Sequence, residues 1–165
     1  MPLDEEHGTE REMLEAHLDG NREVAVGKVT GLSWEQATRR LGSSATSAAG
    51  IVRHLTDVER WWFCHHLDGQ DNVPFRWSDT EADLEFAFDD SDSLEAVIAD
   101  YEAACAESRE VAARYQLDDQ MVRAEDSGNR PSLRWILVHM HDETARRNGH
   151  LDIYRELLDG TTGFA

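Results

Sequence analysis

Apolar residues recur along this chain at three- and four-residue spacing and nowhere alternate strictly. A period near 3.6 predicts helices and a period of 2 predicts strands, so the expected fold class is all-α. The first helix is expected to open after Thr9. Thr9 and Glu12 form an S/T-x-x-E capping box, and Leu14, Leu18, Asn21, Ala25 and Val29 follow as one inward stripe before Gly31. A short helix is expected over SWEQATRRL, with Ser33 and Gln36 as a second capping box. A helix from about Ser47 to Leu67 carries the stripe Ile51, Leu55, Val58 and Trp62 and stops at Gly69. Residues 69–91, with Pro74 and many acids, read as a long loop; Phe75, Trp77, Phe86 and Phe88 imply that it packs down. The next helix starts near Ser91–Ser93, with Leu94, Val97, Ile98, Tyr101, Cys105 and Ala112 inward. After a second loop, Pro131 suits a first helical position, and the last helix runs to Leu158 before Gly160. Four amphipathic helices of this length predict a four-helix bundle, and the long 69–91 connection permits a crossover. Residues 1–165 are expected to form one domain.

Charge narrows the partners. The 165 residues carry a formal net charge of −18, which repels phosphate backbones and anionic lipid surfaces. No nucleic-acid or membrane partner is expected; a small-molecule partner and a homodimer remain open. No apolar run approaches the roughly 18 residues of a membrane span, and the acidic start MPLDEEHGTERE is unlike a signal peptide. A cytoplasmic address is expected. Cys64 and Cys105 lie in apolar helical patterns with no CxxC spacing, which predicts two buried, reduced thiols. His65 and His66 end a helix beside a loop and read as surface residues.

The candidate chemistry lies in LRWILVHMHDETARRNGHLDIYREL. His139, Glu143, Arg147 and His150 are spaced four, four and three apart, which places them on one face. That face points inward if Ile136, Met140 and Tyr154 mark its borders. His54 on the second long helix is the natural partner across the bundle. One His from one helix with a Glu or His pair from another is a plausible divalent-metal site. A hydrogen-bonded core histidine and a surface Glu143–Arg147 ion pair explain the same residues without a metal.

RHLTDVERWWF (53–63) and HMHDETARRNGHLDIYRELLDG (139–160) resemble the DinB-like superfamily, in an actinobacterial branch related to mycothiol-dependent maleylpyruvate isomerase. GKVTGLSWEQATRRL, SSATSAAGIVRHL and DLEFAF support the likeness. The resemblance implies a four-helix bundle and a divalent metal, zinc or nickel. Its ligands would be a His in the RHL segment and a Glu and a His spaced ExxxH in the last helix. It also implies a low-molecular-weight thiol such as mycothiol, and transferase or isomerase activity on a small molecule. His54 and Glu143 match the first two ligands; the third position is Arg147. Arginine keeps its proton at ordinary pH and cannot ligate a metal. Either His150 or His139 supplies the third ligand, or the metal is held weakly by two, or it is lost and Arg147 stands in its place against Glu143 and any bound cofactor. The last case allows a non-catalytic, stress-associated or small-molecule-binding bundle as the alternative function.

Overall fold

The computed structural model describes residues 8–77, 80–81 and 83–163. The helices are α1 (Glu10–Val29), α2 (Trp34–Thr38), α3 (Ala48–Glu59), α4 (Leu94–Ala112) and α5 (Leu133–Asp159). α3 runs on into a π-helical segment, Arg60–Leu67, and a 3₁₀ turn occupies Leu84–Phe86. Among the described residues the only extended pairing is an isolated antiparallel bridge between Gln120 and Ser132. The fold is therefore an all-α bundle, as the resemblance to the DinB-like superfamily implies. α1 packs chiefly against α5, and α3 chiefly against α4.

Both expected capping boxes form. The Thr9 hydroxyl accepts from the Glu12 amide while the Glu12 carboxylate accepts from the Thr9 amide, and Ser33 and Gln36 repeat the exchange at α2. Gly160 closes α5 in the left-handed region at φ 75°, where a side chain would be strained. Two clusters make the core. One gathers Ala25, Val29, Ile51, Leu55, Tyr101 and Leu151; the other gathers Leu18, Phe63, Leu67, Leu133, Ile136 and Met140. Between them a bidentate ion pair ties α1 to α3. Arg22 Nε lies 2.8 Å from Glu59 Oε1 and Arg22 Nη2 lies 2.6 Å from Oε2, with both groups buried.

Three expectations need correction. α5 does not begin at Pro131: Ser132 is its N-cap, and the Pro131 carbonyl instead accepts from the Met121 amide at 2.9 Å. The loop therefore stays extended up to the cap, because pairing with 119–121 satisfies its backbone. His66 is buried, not on the surface, since its Nδ1 lies 2.9 Å from the Arg123 carbonyl, which the second loop brings over it. The second half of the helix from Ser47 is π-helical, which a 3.6-residue stripe cannot foresee. Cys64 and Cys105 are buried free thiols, as expected, and burial raises their pKa to about 11 and about 12. No helix of the described residues is long and apolar enough to cross a membrane.

Candidate functional site

The site forms where α3 faces α5. Ser47 caps α3 by accepting from the Gly50 amide, and almost every α3 residue after it is buried; His54 is half-buried on the side turned to α5. On α5 the buried line runs through Ile136, Met140, Thr144, Asn148 and Leu151. Glu143 and Arg147, one turn apart, flank that line with side chains only 19% and 25% exposed. The spacing of four that placed them on one face therefore holds, but the face borders the core and does not enter it.

Three side chains converge there. His54 Nε2 lies 3.0 Å from Glu143 Oε1. Arg147 Nε donates to the same Glu143 oxygen at 2.8 Å, and Arg147 Nη2 lies 2.9 Å from His54 Nε2. The hydrogen bond with His54, then the charge and hydrogen bond of Arg147, outweigh burial and hold the Glu143 carboxyl at about 2. One imidazole nitrogen thus sits between a donor and an acceptor. Without a proton, Nε2 accepts from Arg147; with one, it donates to Glu143.

The other face of the ring has its own partner. Glu85 Oε1 lies 3.4 Å from His54 Nδ1, on the opposite side of the ring from the α5 groups at Nε2. Glu85 rides on the Leu84–Phe86 turn, which sits tight against α3. A Cβ on Gly50 would lie 2.0 Å from a Phe86 ring carbon, so only glycine admits this approach. Arg53 holds the far side of the turn. It donates to the Ala87 carbonyl at 2.7 Å, pairs with Asp92 and lies 4.2 Å over the Phe88 ring.

Of the sequence candidates, His54, Glu143 and Arg147 come together. His150 is exposed and makes none of these contacts. His139, also named, stacks on Trp135 at 4.8 Å and meets Trp62 edge-on at 4.9 Å. Glu85 was not named as a site residue from the sequence. Its segment, DLEFAF, carried the family likeness, but a loop 31 residues downstream of His54 gives no periodic sign of where it folds back.

The donor set does not fit the metal that the superfamily implies. His54 Nε2 and Glu143 Oε1 supply two donors, and the third position presents guanidinium N–H groups with no lone pair to give. Glu85 approaches the opposite ring nitrogen, so it cannot complete a site at Nε2. Among the described residues no group of three or more His, Cys, Asp or Glu side chains could hold an ion.

Comparison with known proteins agrees with the fold. The crystal structure of a conserved protein from Enterococcus faecalis superposes with a TM-score of 0.64 at 14% identity, over 94% of this chain and 100% of that one. At that identity the likeness concerns the fold alone. No curated protein matches significantly. The family model described as mycothiol-S-transferase matches residues 13–160, a span that holds the long helices apart from the first three residues of α1, together with His54, Glu85, Glu143 and Arg147, and the chain belongs to the mycothiol S-transferase family.

Proposed function

We propose that this protein is a thiol-dependent transferase or isomerase for a small molecule, working through His54 and Arg147 without a metal. The observation that carries the reading is the double partnership of His54 Nε2, with Arg147 Nη2 at 2.9 Å and Glu143 Oε1 at 3.0 Å. A general base must hold its nitrogen free and then stabilise the proton it takes. Here Nε2 has a partner in both states. A thiol passes its proton to His54 Nε2, and the imidazolium turns to Glu143. The released Arg147 guanidinium faces the thiolate. The sulfur forms a C–S bond to the acceptor, and His54 returns the proton to the acceptor carbon or to the leaving group. Glu85, 3.4 Å from Nδ1, backs the ring from its other side. Mycothiol is the thiol that the family points to.

The test is mycothiol transfer to a Michael acceptor such as methyl vinyl ketone, with protein stripped by chelator. Transfer should survive stripping. His54→Gln should lower it by on the order of 100-fold, within the range of a lost general base. Transfer that appears only after zinc or nickel is added, or that ignores His54→Gln, overturns the reading.

A second reading rests on the closure of the same three groups. His54, Glu143 and Arg147 satisfy one another at 2.8–3.0 Å, as in a non-catalytic bundle that retains small-molecule binding. Stoichiometric mycothiol binding in calorimetry, with no transfer to any acceptor, would favour it.

A further inference from the structure

Beside His54 lies a group of aromatic rings that the thiol chemistry above does not use. The Trp77 ring centroid is 6.3 Å from that of His54. Trp61 lies 5.1 Å from Trp77 and 5.2 Å from Phe75 in edge-on contacts, and Phe75 lies 5.9 Å from Trp77. His65 stacks on Trp61 at 4.9 Å. All four rings remain partly exposed, so an aromatic face runs from the site towards solvent.

Two costly local features build this face. The first is the π-helical segment, a rare geometry frequently found at functional sites. Its wider turn brings Trp61 against both His65 and His66, at 4.9 and 4.6 Å. The second is the carboxylate of Asp57, which is wholly buried within α3. Asp57 accepts from the Arg76 guanidinium at 2.7 Å and from its backbone amide at 3.2 Å, and Arg76 also pairs with Asp100 at 2.9 Å. Arg76 stands between Phe75 and Trp77, so this clamp fixes both rings over Trp61. A buried ion pair is weak evidence for stability, and this one joins the chain between the two rings to α3 and α4 at three points. Here the fixed geometry is the distance from Trp77 to His54.

We infer that Trp77, backed by Trp61 and Phe75, is a stacking wall that selects a planar, conjugated acceptor, with Arg76 and Asp57 as the residues that position it. The inference rests on the proposed thiol transfer at His54. A flat π-system gains offset or edge-on contact with such rings, and a puckered ring of equal size gains only area. A planar acceptor against Trp77 presents its edge to His54 and Arg147, where the thiolate forms.

Methyl benzoate and methyl cyclohexanecarboxylate test this directly. They share an ester and a six-membered ring and differ in flatness. With the whole protein, calorimetry should show methyl benzoate binding three- to tenfold more tightly, the range that an aromatic contact contributes. Trp77→Leu, which keeps apolar bulk, should erase that preference and leave the cyclohexyl ester unchanged; Trp77→Phe should retain most of it. Arg76→Gln should weaken methyl benzoate alone, without touching it. Equal affinity for the two esters in the wild type, no binding of methyl benzoate, or a preference that survives Trp77→Leu would each overturn the inference. Transfer to methyl vinyl ketone is scored separately. If the ester preference holds and no transfer occurs, the wall stands and the proposed catalysis falls. If transfer occurs with no preference for the flat ester, catalysis stands and the wall falls.

Discussion

Replacing Arg147 by alanine measures what the guanidinium contributes to the site. The substitution removes the bonds to Glu143 and His54, at 2.8 and 2.9 Å. Breaking a fully buried pair costs about 3–5 kcal/mol, whereas exposed pairs contribute about 0–1 kcal/mol. With side chains 25% and 19% exposed, this pair lies between the limits. The fall of the Glu143 carboxyl from 4.5 to about 2 sets a ceiling of about 3 kcal/mol for all its interactions. His54 remains at 3.0 Å and supplies part of that, and solvent screens a further part. The expected loss is therefore about 1–2 kcal/mol, or a Tm lower by about 2–8 °C for a chain of this size. The sign with pH follows from the lowered carboxyl. Its stabilisation is complete above the ordinary 4.5 and fades as pH falls towards 2. Urea unfolding followed by circular dichroism at pH 7, 4.5 and 3 should show the Arg147→Ala deficit in full at neutral pH and shrinking at pH 3. Arg22→Ala is the control. That pair is 6% and 0% exposed, and its loss should cost about 3–5 kcal/mol. A deficit for Arg147→Ala as large as that of Arg22→Ala, or one that does not change with pH, would refute this account.

Arg147→His should supply the missing donor beside His54 and Glu143 and create a zinc site. Calorimetric titration should show binding at least about 100-fold tighter than wild type, as expected from a third ligand; equal affinities would show that Arg147 does not block the site. Gly50→Ala should push the Phe86 ring away, since its Cβ would lie 2.0 Å from that ring, at a cost of about 1–3 kcal/mol. Loosened with it, Glu85 should lose its hold on His54, visible as a changed imidazole nitrogen shift in NMR; an unchanged shift would separate Glu85 from His54. Cys64 and Cys105, raised to about 11 and about 12 by burial, should react negligibly with a thiol reagent at pH 8 until the protein is unfolded.

The helices were legible because each is announced locally. The Thr9–Glu12 and Ser33–Gln36 boxes, the stripes on α3 and α4 and the stop at Gly160 all appear where sequence spacing places them. The His54–Glu143–Arg147 grouping was also within reach, because it needs only two amphipathic helices with their apolar faces together. What escaped has a common cause. Glu85 reaches His54 through a loop whose path is set by Gly50 and Arg53, and His66 is buried by a segment more than fifty residues further on. The π-helical segment lies under the same loop, its Trp61 and His65 fitting against Phe75 and Trp77, which sequence spacing does not reveal. Periodicity records which face of an element is apolar. It carries nothing about what a loop later lays upon it.

The substitution at position 147 alters the site's electrostatics as well as its donor count. With the Glu143 and Glu85 carboxylates both counted, a dication would leave the site neutral, whereas the Arg147 guanidinium leaves it with one negative charge. A thiolate formed against a metal is stabilised by direct coordination and exists well below the ordinary thiol pKa. Against a guanidinium it gains only charge-assisted hydrogen bonds. On the proposed reading proton removal falls to His54, which has Glu85 behind Nδ1 and both Glu143 and Arg147 before Nε2. The residue that removes the metal ligand is thus the same residue that gives the histidine nitrogen a partner when it is deprotonated. A guanidinium also presents its donors in a plane, so the anion it holds is oriented as well as attracted. On the proposed reading, loss of a Lewis acid and reliance on His54 as general base are two consequences of one side chain.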